Sequence, residues 1–420
     1  MYLGLALLGD WQYLGAMNWL MLSLGALSAI LAINAYRPIR WPAAIGLISF
    51  VAGWLVGDLP VVNFLIQGGA AVGLVTLGGL EGWQGWTGMA LLVIGWAGLL
   101  RAYAESLAAE DVMDEALAAV GVPPRKESGW AWHTHLLPFF FWRQNVKRVG
   151  GIPVEKIGLW TLKADVYHPR ESQKPGPVLV FVHGGGWVVS FRQFQGLPLL
   201  TRLAAAGWTC ISISYRLSPL ATFPDHLIDV KRGIAWARQN AHLYGGDPSF
   251  LAIHGNSAGA HLSALAALTP NDPRYQPGFE DVDTSVDACV PVYGPLDLDG
   301  HIGGHMDFRL MMEWIVIKAN RLQNPDLYRE ASPFALLHAD APPFFMVHGS
   351  SDSLVPIEGG RKFYAACKEI LDAPVGFAEI PGGQHALDIF HSRRGVAVAE
   401  GIQRYLEHIF ATSSSRENPR

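Results

Sequence analysis

Three side chains far apart in the chain, Ser257, Asp352 and His385, have the types and the order needed to open an acyl bond. In HGNSAGAHLSALAAL, residues 254–268, Ser257 stands between Gly255-Asn256 and Ala258-Gly259, after the apolar run SFLAI and before a run with helical spacing. Strand, sharp turn and helix hold a serine hydroxyl out above a sheet, and small residues on either side let the backbone turn tightly. A serine hydroxyl becomes a nucleophile only when a base takes its proton. His385, in IPGGQHALDIF, follows the last strand-like run, and Asp352, in FFMVHGSSDSLVP, follows the one before it. The carboxylate would fix the imidazole tautomer and stabilise its cation without taking the proton. His391 competes for the base, and Glu358 and Asp388 for the acid, but all three fall on helix-like runs. His348 and His338 flank the strand before Asp352 and read as structural.

The tetrahedral intermediate of acyl transfer needs backbone N–H donors. VLVFVHGGGWVVS, residues 178–190, supplies His183-Gly184-Gly185-Gly186-Trp187 directly after an apolar strand, and Ala258 follows the serine. The glycines lack the Gly-Lys-Ser/Thr ending of a phosphate loop. His183 reads as a brace for this loop. Nothing in the pattern calls for a metal or a cofactor.

The elements around these residues alternate. Strand-like runs are IPVEKIG, LWTLKADVYHP, PVLVFVHGG, TCISISYR, FLAIHGNS, ACVPVYGP, PPFFMVHGS and VGFAEIPGG. Helix-like runs lie near 195–206, 225–244, 258–268, 308–320, 357–371 and 394–409. Apolar strands separated by helices make a mostly parallel sheet with helices on both faces. The first strands follow one another with no helix between, so that edge should be antiparallel. A catalytic α/β domain over 151–410 is expected, with a polar, disordered tail over 411–420. Residues 270–284 and 296–330 are too irregular to assign; Phe308, Met311, Met312 and Trp314 are candidates for an acyl pocket there, and no substrate-binding residue is fixed.

The first quarter is different. Half of the 420 residues are hydrophobic and only 16% are charged, where about 25% is usual for soluble domains. Residues 11–36, 41–57, 59–80 and 82–100 carry no charge, and a spanning helix needs about 20 apolar residues. Residues 1–104 are therefore expected to form three or four membrane helices. The 41–57 stretch is either a short fourth span or half of a hairpin turning at Gly57-Asp58-Leu59-Pro60. Trp and Tyr cluster near the ends of these stretches, as at membrane interfaces. Three spans would leave the catalytic domain in the cytoplasm and four would leave it outside; Arg101, Arg125, Lys126, Arg143, Lys147 and Arg148 favour the cytoplasm.

Residues 105–150 form a connector: an amphipathic helix stopped by Gly121 and Pro123-Pro124, then the aromatic run WAWHTHLLPFFFWRQNVKR, either packed on the catalytic domain or lying as a lid at the interface. The net charge of −5, with no basic block, excludes nucleic acid as a partner. The three cysteines, Cys210, Cys289 and Cys367, are too few and too far apart for a disulfide framework or a zinc site. They read as buried thiols.

The motifs HGGGW, GNSAG, HGSSD and GGQH, with YRLSPLATFPDHLIDV and GGDPSFLAIHGNSAG, resemble the α/β-hydrolase esterases of the hormone-sensitive lipase and carboxylesterase group. They are similar too to membrane-associated actinobacterial lipases and esterases and to prenylcysteine methylesterases. The resemblance covers about 170–410. It implies an α/β-hydrolase fold, with Ser257 as nucleophile, Asp352 as acid and His385 as base. It also implies Gly185, Gly186 and Ala258 as oxyanion donors, with Gly184 less clearly one. Two departures stand out: Asn256 where acidic residues are common, and Leu220 where the family has glutamate. The expectation is a membrane-anchored serine carboxylester hydrolase acting on a lipophilic ester, with no cofactor. The rivals are an acyltransferase using the same three residues and a non-catalytic membrane protein with a hydrolase-like binding domain.

Overall fold

The computed structural model describes residues 2–125, 137–139, 141, 143–171, 174–300 and 306–417. The eight strand-like runs form one eight-stranded sheet: β1 (Val146–Ile157), β2 (Trp160–Pro169), β3 (Gly176–Val182), β4 (Thr209–Ile213), β5 (Gly246–Asn256), β6 (Ala288–Val292), β7 (Phe344–Gly349) and β8 (Val375–Ile380). Their order is β1-β2-β4-β3-β5-β6-β7-β8. β1–β2 and β2–β4 are antiparallel and every other pair is parallel. All of β3 is apolar apart from its first glycine because helices cover both of its faces. Val178, Val180 and Val182 enter one core, and Leu179 and Phe181, pointing the other way with the period of two, enter the second. Cys210, Cys289 and Cys367 are buried free thiols.

The chain's helices are α1 (Tyr2–Tyr36), α2 (Ala43–Asp58), α3 (Pro60–Thr76), α4 (Trp83–Leu107), α5 (Ala109–Ala118), α6 (Leu197–Ala205), α7 (Asp225–Asn240), α8 (Ala258–Leu268), α9 (Met306–Met311), α10 (Pro325–Glu330), α11 (Ile357–Ile370) and α12 (Arg393–Glu417). α7 and α8 pack in the first core, α5, α6 and α12 in the second. The expected single helix after residue 104 is instead the end of α4 followed by α5. The buried residues of α5, among them Ala109, Met113 and Leu117, recur every four positions and meet Ile402, Leu406 and Ile409 of α12. Arg125 and Arg393 pair with Glu110, and Arg404 with Asp114, around that contact. β1 begins inside the expected connector. Most of the aromatic run, 126–136 with 140 and 142, lies outside the described residues.

The tail differs from expectation: α12 continues through 411–417. Nothing in that stretch breaks a helix before Pro419, and the Thr412 and Ser413 hydroxyls donate to carbonyls of the preceding turn.

In the apolar quarter, Gly15–Tyr36 and Trp83–Ala118 are long and apolar enough to cross a membrane. α2 and α3 meet at a bend of 92°, so the candidate spans number two, or three with the bent pair as one, rather than three or four. The break falls at the anticipated turn. Leu59 leaves helical geometry (φ −120°, ψ 45°), and Pro60 begins α3 where its missing N–H costs nothing. α1 and α4 run side by side in the same direction. Asn18 Oδ1 accepts from the Gly82 N–H at 2.7 Å, and at the other end Tyr36 donates to the Gly98 carbonyl at 2.9 Å. A Cβ on Gly88 would strike the Met21 carbonyl and one on Gly95 the Ser28 hydroxyl, so small residues set this close approach. α3 returns the opposite way; Ser28 donates to Gln67 at 2.7 Å midway, and Asn18 reaches the Gly78 carbonyl beyond its end.

Candidate active site

Ser257 closes β5 and opens α8. Its backbone (φ 55°, ψ −122°) lies where a residue with a side chain is strained. The neighbouring glycines make the turn possible: a Cβ on Gly259 would collide with the Val182 carbonyl, and one on Gly255 with the Gly259 carbonyl. The Ser257 N–H donates to Val292 O at 2.9 Å, so β6 pins the turn.

His385 and Asp352 are brought to it from the loops after β8 and β7. His385 Nε2 lies 2.9 Å from Ser257 Oγ, and His385 Nδ1 lies 2.8 Å from Asp352 Oδ2. The other carboxylate oxygen accepts the N–H groups of Leu354 and Val355 at 2.9 and 2.8 Å. Burial alone would raise the Asp352 carboxyl, but the His385 and His348 imidazoles beside it hold it well below the usual carboxylate range. His348, expected to be structural, has its Nε2 3.2 Å from Asp352 Oδ2 and 3.0 Å from Val355 O. Its Nε2–H can therefore donate to the same carboxylate oxygen that His385 meets. Gln384 ties the two loops together: its Oε1 accepts from the Ser353 N–H at 2.7 Å and the His385 N–H at 3.0 Å.

The competing residues lie elsewhere. The His391 N–H donates to Pro138 O and its ring packs on Phe141. Glu358 is exposed in the first turn of α11. Asp388 is buried, but the partner of His385 Nδ1 is Asp352. Asp388 accepts from Asn256 Nδ2 at 2.7 Å and from the Tyr293 hydroxyl, and the Tyr293 ring packs against the His385 ring at 4.6 Å. This explains the unusual Asn256: an acid there would face a second carboxylate.

The glycine loop after β3 borders the serine. A Cβ on Gly184 would come within 3.0 Å of Ser257 Cβ. The Gly184 N–H is taken by Gln195 Oε1 at 2.7 Å. Gly185 and Gly186, at φ 117° and 58°, follow with backbones that disfavour any other residue. His183 braces this loop as expected. Its ring stacks on Tyr215 at 4.4 Å, its Nδ1 lies 2.7 Å from Gly184 O, and Tyr215 donates to its carbonyl at 3.1 Å. Burial pushes the imidazole down to about 4, so it is neutral at pH 7.

Of the four pocket candidates, Met312 is buried and Phe308 and Met311 pack against the core, with Phe308 beside Trp187. Trp314 is 74% exposed. It sits in a short π-helical turn, Met312–Val316, which offsets it from the helical face that α9 sets. Among the described residues no cluster of three or more His, Cys, Asp or Glu side chains is set to hold a metal ion.

The family model described as BD-FAE matches residues 164–367. The probable carboxylic ester hydrolase LipM of Mycobacterium tuberculosis is 37% identical over 413 residues, covering 95% of each chain. The chain belongs to the α/β-hydrolase esterases. At that coverage the LipM match takes in most of the apolar quarter as well as the catalytic domain. The esterase LipQ of the same organism is 45% identical over 244 residues, covering 57% of this chain and 58% of LipQ. Among solved structures, a truncated carbohydrate esterase from gut microbiota shares the fold, with a TM-score of 0.54 at 23% identity, covering 63% of this chain and 96% of that one. The esterase is a carboxylic ester hydrolase, as its relatives are.

The glycine, serine and histidine motifs thus lay open to sequence reading, whereas Gln195, Gln384, Tyr293 and the roles of Asp388 and His348 did not. Asn256 was the one signal, an amide where an acid is common.

Proposed function

We propose that this esterase is a membrane-anchored serine carboxylester hydrolase acting on a lipophilic ester. Ser257 Oγ attacks the ester carbonyl while His385 Nε2 takes its proton. The carbonyl oxygen, now an anion, is received by the N–H groups of Gly185, Gly186 and Ala258; one such donor is worth about 3 kcal/mol in the transition state. The Gly184 N–H, already engaged by Gln195, takes no part. Collapse expels the alcohol, which leaves with the proton from His385, and water cleaves the acyl-enzyme by the same route. Asp352 keeps the proton of His385 on Nδ1 and stabilises the imidazolium. The observation that carries this reading is the relay Ser257–His385–Asp352 at 2.9 and 2.8 Å, built on a strained serine.

Gly15–Tyr36 and α4 anchor the chain, with the bent α2–α3 pair between them. Tyr36 and Arg101 stack at the catalytic-domain end of α1 and α4, 4.3 Å apart, and Arg37 and Arg40 follow α1 at that end. By the positive-inside rule this end, and the catalytic domain with it, faces the cytoplasm.

The test is hydrolysis of p-nitrophenyl esters from acetate to palmitate by the full-length protein in detergent, with Ser257→Ala alongside. The expected result is activity that peaks at a defined chain length and vanishes in the variant. Activity surviving Ser257→Ala, or none at any length, refutes the reading.

A further inference from the structure

α2 lies across the ends of α1 and α4 on the side of the catalytic domain, and its two faces differ. Ile45, Leu47, Ile48, Val51 and Leu55 are exposed, Ile48 by 71%, whereas Gly46, Ser49, Phe50, Gly53, Val56 and Gly57 are buried. Gly46, Ser49 and Gly53 rest on the end of α1 and the residues that follow it, while Phe50 and Trp54 reach the loop that carries His385. The Phe50 ring meets the His385 imidazole edge-on at 6.0 Å and is 8% exposed. Trp54 Nε1 donates to the carbonyl of Ala386 at 3.1 Å, and its indole stacks on Phe390 at 4.5 Å. Phe139, from the described part of the aromatic run, packs edge-on against the same Phe390.

Ala386 matters because it follows the histidine directly and has φ 65°. An alanine in the left-handed region is strained and needs its surroundings to hold it there. The indole N–H fixes its carbonyl, and hence the direction in which the chain leaves His385. The end of α2 is fastened to the same region. Arg394, 1% exposed in its side chain, donates to Gly57 O at 2.7 Å, Pro381 O at 2.8 Å and Ala102 O at 3.2 Å, and lies 3.4 Å from Asp58 Oδ1. One guanidinium thus joins α2, α4 and the turn after β8.

We propose that Phe50 and Trp54 are positioning residues for the catalytic histidine, so that the apolar segment is a working part of the active site as well as an anchor. This rests on His385 being the base of the esterase reaction. Phe50 limits the tilt of the imidazole from one side, as Tyr293 does from another. Trp54 holds the strained Ala386 that sets the position of the His385 backbone. The outward stripe of Ile45, Ile48, Val51 and Leu55 faces the bilayer.

The experiment uses full-length protein in detergent and follows both p-nitrophenyl butyrate hydrolysis and the rate of Ser257 labelling by a fluorophosphonate. Trp54→Phe keeps a ring on Phe390 and removes only the N–H donor; Phe50→Ala removes the ring beside His385. A misplaced catalytic group costs up to about a hundredfold. Both variants should lose about three- to thirtyfold in kcat and in labelling rate, with KM within about twofold and the end-point of labelling unchanged. Phe50→Leu should recover part of the loss, and Ile48→Ala, on the outward stripe, should match wild type. If Phe50→Ala does not fold, Trp54→Phe and Phe50→Leu carry the same comparison. Rates within twofold of wild type in the folded variants, or a loss that appears only in KM, overturn the inference. Wild type that neither labels nor turns over ester overturns the assignment of the triad itself, and this inference with it.

Discussion

Replacing Asp352 by asparagine changes one atom and should disable the base. The surroundings dictate how the amide must sit. Asp352 Oδ1 accepts two part-buried backbone N–H groups, at 2.9 and 2.8 Å. The amide oxygen must take that place, because an NH₂ there would leave both donors unpaired at about 1–3 kcal/mol each. The amide nitrogen then occupies the place of Oδ2, 2.8 Å from His385 Nδ1, and the His348 Nε2–H, which loses that acceptor, keeps the Val355 carbonyl at 3.0 Å. Nδ1 must now accept, so the proton of the neutral ring moves to Nε2, which faces Ser257 Oγ as a donor. The hydroxyl has lost its proton acceptor, and an imidazolium forming there has lost its counter-charge. Such a tautomer reversal typically costs about 10⁴-fold in kcat, or about 5.5 kcal/mol. The assay is steady-state hydrolysis of p-nitrophenyl butyrate at pH 7.5, with melting temperature as a check on folding. A folded variant with kcat within tenfold of wild type would refute the assignment of Asp352 and the orientation argument together.

Asn256→Asp should be destabilising in a pH-dependent way. It sets a carboxylate in place of the Nδ2 donor now 2.7 Å from Asp388 Oδ2. At pH 8 the cost should be about 3 kcal/mol, shrinking towards pH 5.5 as one of the two carboxyls takes a proton; a drop in melting temperature that is equal at both pH values counts against it. The wild-type fold should lose stability in acid earlier than its carboxylates alone would cause. His183, His226 and His261 are buried, and desolvation pushes each down to about 4. Their folded values lie below the unfolded value of about 6.5, so their contribution is complete above about pH 6.5 and is lost as pH falls towards 4. With three protons taken up only by the unfolded chain, the steepest slope is roughly 4 kcal/mol per pH unit. Melting curves between pH 7.5 and 4.5 test this, and a melting temperature that stays flat from pH 7 to 5 contradicts it.

What could be read in the sequence was local. The strands showed themselves as apolar runs because a parallel sheet buried on both sides needs apolar residues at every position, as β3 has. The nucleophile turn was legible because only small residues fit where Gly255 and Gly259 approach backbone carbonyls. The span count was harder. Lack of charge in 41–57 and 59–80 does not distinguish a straight helix from two helices at 92°, and the bend depends on where Arg394 reaches Gly57 and Asp58. Helix α12 outran its expected end because side-chain oxygens in 412–413 found backbone partners within the helix.

The sequence by itself singled out the candidate residues, since a serine, an acid and a histidine in this order, with a glycine loop after an apolar strand, are the parts that acyl transfer needs. It also showed that 11–36, 41–57, 59–80 and 82–100 carry no charge. Only the tertiary structure decided which supporting groups surround those three. His348 on Asp352, Tyr293 and Asp388 beside Asn256, and Phe50 and Trp54 against the His385 loop are all contacts between residues far apart in the chain. Their residue types carry no local signature, because a tryptophan in an apolar helix looks the same whether its N–H meets lipid headgroups or holds the backbone beside His385.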